Sequence, residues 1–202
     1  MRRGARRTSS NWATSVFRRL AEREHYHGPL ISVATATIAG PGGEVFQRDV
    51  VHHPGAVSVV PVLQGTDGPV VVMLRQYRAA VDSVLLEIPA GTRDVAGEAP
   101  EETARRELAE EVGLRASRLE LLAEFYNSPG FCDEHSWVFL ARDLGEAPSG
   151  AHSAEERHMS IVRVPLGEVP AMVARREIVD AKTIIGLCLA RERITAGPEP
   201  KR

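Results

Sequence analysis

Glu107, Glu110 and Glu111 stand at i, i+3 and i+4, a spacing that puts three carboxylates on one face if the segment is helical. Like charges at that spacing repel by roughly a few tenths of a kcal/mol per pair, so the arrangement invites a cation. Hard divalent ions take oxygen ligands, and Mg²⁺ in particular combines carboxylates with waters and substrate phosphates. Arg106 lies four residues from both Glu102 and Glu110 and can hold an acid in position. A bare E-x-x-E-E triplet is ordinarily a solvated helix surface, because glutamate favours helices.

The surrounding sequence says what must position these acids. Pro100 suits a first helical turn and Gly113 a C-terminal stop, which predicts a helix from Pro100 to Gly113 that packs Leu108 and Val112 on its apolar side. Upstream, residues 31–51 alternate in strand fashion about Gly40-Pro41-Gly42-Gly43 and read as a hairpin. Strands follow at Ala56–Leu63, Val70–Arg78 and Val84–Ile88, the last stopped by Pro89-Ala90-Gly91. Downstream, Leu119–Tyr126 and His135–Arg142 read as strands flanking the loop Asn127–Glu134. A polar loop spans Gly145–Arg157, then come a strand at Met159–Val164 and helices at Leu166–Ala174 and Asp180–Ile194. Interleaved strands and helices predict an α/β or α+β class with a mixed sheet.

Composition bounds the partners. Twenty-five basic and 27 acidic residues leave a formal charge of −2, so no overall field argues for nucleic acid or an anionic membrane. No apolar run approaches the ~18 to 20 residues that span a bilayer. Cys132 and Cys188 are far apart and form no C-x-x-C or Cys/His cluster, which fits a reducing compartment, and His52, His53, His135 and His158 lack metal-ligand spacing. Trp137 reads as a core residue. Residues 1–21 hold six arginines and no acid, with Trp12, Val16, Phe17 and Leu20 at roughly helical spacing. The favoured reading is a basic tail with a short docking helix in a cytoplasmic protein, the alternative a mitochondrial transit peptide.

The triplet is not bare. Glu98 and Arg106-Glu107-Leu108-Ala109-Glu110-Glu111-Val112-Gly113-Leu114, with Gly91 upstream, resemble the Nudix box, G-x5-E-x7-R-E-U-x-E-E-x-G-U with U aliphatic. One departure is that Gly91 stands seven residues before Glu98 where the usual box has six. Either the loop carries one extra residue or Gly97 has taken over the turn, and loops absorb such insertions at small cost. From Ile31 to Ala190 the chain also resembles the ADP-ribose pyrophosphatases. The stretches that carry this are Arg75-Gln76-Tyr77-Arg78, Leu86-Glu87-Ile88-Pro89-Ala90-Gly91 and Ser128-Pro129-Gly130-Phe131-Cys132-Asp133-Glu134, with Pro129 falling 16 residues after Gly113.

The resemblance implies a Nudix α/β/α sandwich with a mixed sheet, preceded by a small N-terminal antiparallel hairpin or sheet. The expected organisation is a tail and short helix over 1–30, a dimerising hairpin over 31–54, the Nudix domain over 55–195 and a tail over 196–202. It implies Mg²⁺, with Mn²⁺ possible, bound by the Ala90 carbonyl, Glu107, Glu110 and Glu111, with Glu98 a weaker candidate. Arg106 is expected to support catalysis, and the base is expected in the loop after the box, Glu155 first and Glu156 as the alternate. Arg78 is expected to meet the nucleotide or its phosphates, and Glu87, Pro129, Phe131 and Glu134 to line the substrate site, with structural salt bridges the competing roles for Glu87 and Glu134. The implied reaction is cleavage of ADP-ribose to AMP and ribose 5-phosphate by a homodimer without nucleic-acid or membrane partners. Another nucleoside diphosphate sugar, a dinucleotide or NADH is the alternative substrate. A non-catalytic nucleotide sensor is the alternative class, and the intact acidic triplet argues against it.

Overall fold

The computed structural model describes residues 17–148 and 158–196, and the chain divides into two compact units, Met1–His52 and His53–Arg202. In the first, β1 (Arg18–His27), β2 (Ser32–Ala39) and β3 (Val45–His52) form an antiparallel sheet in the order β1-β2-β3. The predicted hairpin is β2–β3, closed where Gly43 takes φ 85° and Gly40 N–H donates to the Glu44 carbonyl at 2.8 Å.

The expected short helix within residues 1–30 is corrected over Arg18–His27, which is strand; residues 1–16 lie outside the described residues. Every residue of β1 is exposed, so its side chains carry no burial pattern for a sequence reading to detect. What makes it a strand is pairing with β2 from Arg18↔Ala39 to His27↔Ser32, interrupted by two register shifts. Backbone N–H and C=O groups must find partners, and a neighbouring strand supplies them irrespective of local propensity.

The second unit is built on a sheet whose strands are β4 (Ala56–Gly65), β5 (Gly68–Arg78), β6 (Ser83–Glu87), β7 (Ala90–Thr92), β8 (Leu114–Tyr126), β9 (His135–Glu146) and β10 (Ser160–Pro165). Its main path runs β10-β5-β4-β9-β8. β6 pairs with β5 and β7 with β4. β4 and β9 run parallel, from Ala56↔Ser136 to Pro61↔Ala141, while the other pairs are antiparallel, so the sheet is mixed. The helices are α1 (Pro100–Val112), α2 (Val169–Ala174) and α3 (Ala181–Thr195).

Alternation along the central strands creates two cores. Val57 and Val59 of β4, Val72 and Leu74 of β5 and Phe139 and Ala141 of β9 pack with Ala104, Leu108 and Val112 of α1. The intervening Val60, Val62, Val71, Met73, Val138 and Leu140 pack with Leu187 and Ala190 of α3 and with Val169 and Met172 of α2. A sheet buried on both faces by helices is the α/β/α sandwich the resemblance implied. Among the described residues no helix is long and apolar enough to cross a membrane.

Candidate active site

The acids are delivered by α1. Pro100 opens the helix, Glu102 reaches back to accept the Ala99 N–H at 3.2 Å, and Gly113, at φ 64°, closes it by donating to the Ala109 carbonyl at 3.0 Å. Thr103, Ala104, Leu108 and Val112 are buried, which turns Arg106, Glu107, Glu110 and Glu111 to the flank. There they line a cavity of about 450 Å³ together with Gln76 and Arg78 of β5, Ala90, Gly91 and Thr92 of β7, and Asp94.

β7 makes the opposite wall. The Val59 N–H donates to the Pro89 carbonyl at 2.9 Å and the Arg93 N–H to the Gly55 carbonyl at 3.0 Å. In an antiparallel ladder such bonded pairs alternate, so Ala90 and Thr92 turn both N–H and C=O away from β4. The Ala90 N–H donates to Glu111 Oε2 at 2.8 Å, which aims the neighbouring carbonyl the same way. The Glu107 carboxylate lies directly over Gly91, where an added Cβ would stand 1.9 Å from Glu107 Cδ. That resolves the spacing question. Gly91 keeps the close-approach position, while Gly97, at φ 81° in a turn closed by Glu98 N–H on the Val95 carbonyl at 3.2 Å, accommodates the longer loop.

Arg106 ties the acids together. Its Nη1 donates to Glu107 at 2.7 Å and to Glu110 at 3.2 Å, its Nε and Nη2 to Glu98 at 3.4 and 3.3 Å, and Nη2 reaches Asp94 at 3.5 Å. Burial opposes the charge of Arg106, but the hydrogen bond to Glu98 and the charges of Glu107, Glu98 and Glu110 outweigh it and raise its pKa. Burial pushes the Glu107 carboxyl up; Arg106 pulls it back in part, and Glu110 adds to the rise. Glu98 also accepts from the Thr103 hydroxyl at 2.8 Å, so it anchors Arg106 and the start of α1.

The donor set is all oxygen and suits a hard divalent cation. Among the described residues no three His, Cys, Asp or Glu side chains are gathered closely enough to hold one as they stand. Arg106 draws Glu107 and Glu110 to itself and the Ala90 N–H holds Glu111, so a cation would bind by turning carboxylates already facing the cavity.

Beside the acids, Arg78 lines the cavity and donates from Nε and Nη2 to the two oxygens of Glu87 at 2.8 and 2.7 Å. Glu87 is 1% exposed and also accepts from Lys182 Nζ. Lys182 pairs with Asp180 at 3.0 Å. Asp180 in turn caps α3, accepting the Thr183 N–H at 2.9 Å and its hydroxyl at 2.6 Å, and Thr183 Oγ1 accepts the Ile88 N–H at 3.0 Å. Glu87 therefore takes the salt-bridge role, and it presents Arg78 to the cavity without lining it. Burial raises the Glu87 carboxyl, yet the hydrogen bonds and charges of Arg78 and Lys182 outweigh this and hold it below the ordinary glutamate range.

Pro129, Phe131 and Glu134 sit in the loop between β8 and β9, Pro129 and Phe131 exposed, and they are not among the residues lining the cavity. Glu155 and Glu156 lie outside the described residues. Trp137 is half-buried against the α1-side core between the Arg93 guanidinium, 4.7 Å from its ring centroid, and the His135 ring at 3.9 Å. Sequence reasoning missed Thr92, Asp94 and Lys182. Thr92 ends a strand too short to show periodicity, Asp94 lies in the loop just beyond it, and Lys182 meets Glu87 across 95 residues with no local signal.

The NUDIX domain family matches residues 52–184. The chain is similar to the ADP-ribose pyrophosphatase of Bacillus subtilis (strain 168), 37% identical over 164 residues, covering 81% of this chain and 86% of that protein. It is also similar to the ADP-ribose pyrophosphatase of Mycobacterium tuberculosis, 38% identical over 181 residues, covering 90% and 86%. A crystal structure of an ADP compounds hydrolase superposes with a TM-score of 0.78 over 91% of this chain and 97% of that one, at 23% identity, which speaks to the fold.

Proposed function

This chain belongs to the Nudix family and is a Nudix hydrolase, and from that membership we propose that it cleaves the pyrophosphate of ADP-ribose to AMP and ribose 5-phosphate. The observation that carries the reading is the acidic flank of α1 set over Gly91 and beside Arg78, in a chain whose relatives are named for this reaction. Glu107, Glu110 and Glu111 with the Ala90 carbonyl would hold Mg²⁺ or Mn²⁺, which when bound polarises phosphate oxygens, neutralises charge and acidifies water. Arg106 keeps the acids oriented, and Arg78, presented by Glu87, binds phosphate through its guanidinium. Water attacks one phosphorus, the bond from that phosphorus to the bridging oxygen breaks, and the proton of the water passes to Glu155, with Glu156 the alternate. A panel of ADP-ribose, ADP-glucose, NADH and diadenosine polyphosphates with Mg²⁺ tests the substrate; faster cleavage of any of the others than of ADP-ribose would displace it.

Glu155→Gln is expected to lower kcat by about 10²-fold with little change in substrate Kd, the behaviour of a general base; if Glu156→Gln shows the large effect instead, the assignment moves by one residue. Gly91→Ala is expected to lower kcat by up to about 10²-fold, because its methyl displaces the Glu107 carboxylate by ångströms. Its urea midpoint should stay near wild type, since the atom displaced is the end of a flexible side chain. Wild-type kcat in this variant would remove Glu107 from the reacting centre.

The proposal extends to a cytoplasmic homodimer in which the N-terminal sheet contributes to the partner's active site. Exposed Leu20 and Val45 on that sheet, with exposed Phe17 just before it, support it, because a small sheet must bury its apolar surface somewhere. Light scattering should give twice the chain mass, and a truncation starting near Gly55 should lose both dimer and activity. A fully active full-length monomer would rule the arrangement out.

A further inference from the structure

The loop from Gly91 to Glu98, one residue longer than the usual box allows, must still deliver Glu98 to Arg106. Arg93 spans it. Its backbone N–H is tied to the Gly55 carbonyl at 3.0 Å, and its Nη2 donates to the Glu98 carbonyl at 2.9 Å. Its guanidinium lies over the Trp137 ring at 4.7 Å, and Trp137 is backed by His135. Arg93 Nε is buried and, among the described residues, has no hydrogen-bond partner, so the stack and the Nη2 bond together hold the head group. Gly55 makes room for this arrangement: at φ 96° its added Cβ would stand 3.0 Å from the His135 carbonyl and 3.2 Å from Trp137 Cζ3. The Glu98 side chain then holds Arg106, and Arg106 holds Glu107 and Glu110.

We propose that Arg93, stacked on Trp137, is a positioning residue that clamps the lengthened loop and, through Glu98 and Arg106, sets the affinity of Glu107 and Glu110 for the divalent cation. The inference rests on the reading of those acids as metal ligands. No residue in the chain from Trp137 to Arg106 needs to touch substrate. The coupling runs through a planar cation on an aromatic face and one directed hydrogen bond, so it depends on arginine's shape as well as its charge.

The test is Mn²⁺ titration of the purified full-length protein without substrate, followed by electron paramagnetic resonance, alongside half-activating Mg²⁺ concentrations. Arg93→Ala should weaken Mn²⁺ binding and raise the half-activating Mg²⁺ by about tenfold, the scale of supporting residues around a metal site, while kcat at saturating Mg²⁺ falls by less. Glu98→Gln should do the same, and the double variant should be no worse than the weaker single one, because both break the same chain. Trp137→Phe, which keeps an aromatic face, should bind Mn²⁺ nearly as wild type does, and Arg93→Lys, which keeps the charge without the planar face, should not. These two variants carry the test if Arg93→Ala fails to fold. If Glu107→Gln loses Mn²⁺ but both Arg93 variants keep it, the clamp is overturned and the metal reading stands. If Arg93→Ala and Glu98→Gln weaken binding additively, the coupling is overturned. If the wild-type protein binds no Mn²⁺, both readings fall.

Discussion

Glu111→Gln should reduce turnover by about 10³-fold at saturating Mg²⁺ while leaving the fold intact. The carboxylate lies on the cavity flank of α1, not among the Ala104, Leu108 and Val112 side chains that anchor the helix to the sheet. Glutamine keeps the shape and can still accept the Ala90 N–H that now reaches Oε2 at 2.8 Å, so the local backbone should hold. The negative charge is lost, and with it a ligand for a divalent ion. Metal stabilisation of a phosphoryl transition state is worth several kcal/mol, and about 4 kcal/mol corresponds to roughly 10³ in rate. Steady-state kinetics with an Mg²⁺ titration measures the loss, and circular dichroism with a urea midpoint checks the fold. A variant that turns over at the wild-type rate would remove Glu111 from the metal site.

Glu87→Gln should act on the fold itself, destabilising it by about 3 kcal/mol near neutral pH. A carboxylate 1% exposed sits between Arg78 and Lys182, and removing its charge leaves two cations facing a neutral amide in a largely buried site. Breaking one side of a buried ion pair typically costs about 3 to 5 kcal/mol, and the low end applies because Arg78 keeps partial access to water. The pH dependence has a definite sign. With its folded pKa held below the ordinary range, Glu87 contributes stability that is fully present above the unfolded value of about 4.3 and is lost as pH falls through the folded pKa. The gap in urea midpoint between wild type and Glu87→Gln should therefore be widest above about pH 5 and close on acidification. A gap that is constant with pH would mean that folding leaves the Glu87 pKa unshifted, and one that narrows as pH rises would mean that the carboxyl is held neutral in the folded protein. Arg78 also loses the partner that presents it, so KM for ADP-ribose should rise.

The fold and half of the site were legible because their signals are local. The β-rich runs of β4, β5 and β9 and the i, i+4 spacing of Leu108 and Val112 are read within a few residues, and they predict strands with a helix packed by its apolar side. The spacing of Glu107, Glu110 and Glu111 is likewise a property of one helix. Tertiary structure decided everything that depends on distant pairing. The strand character of Arg18–His27 comes from its bonds to β2, and the short β7 exists through its ladder with β4, more than 30 residues away in the chain. Whether Gly91 or Gly97 held the box position could not be read from spacing, because loop length is nearly free energetically; the position of the Glu107 carboxylate over Gly91 answered it. The role of Glu87 was open for the same reason. Its partners are a strand end nine residues back and Lys182, 95 residues on, and only folding brings both charges to one buried carboxylate.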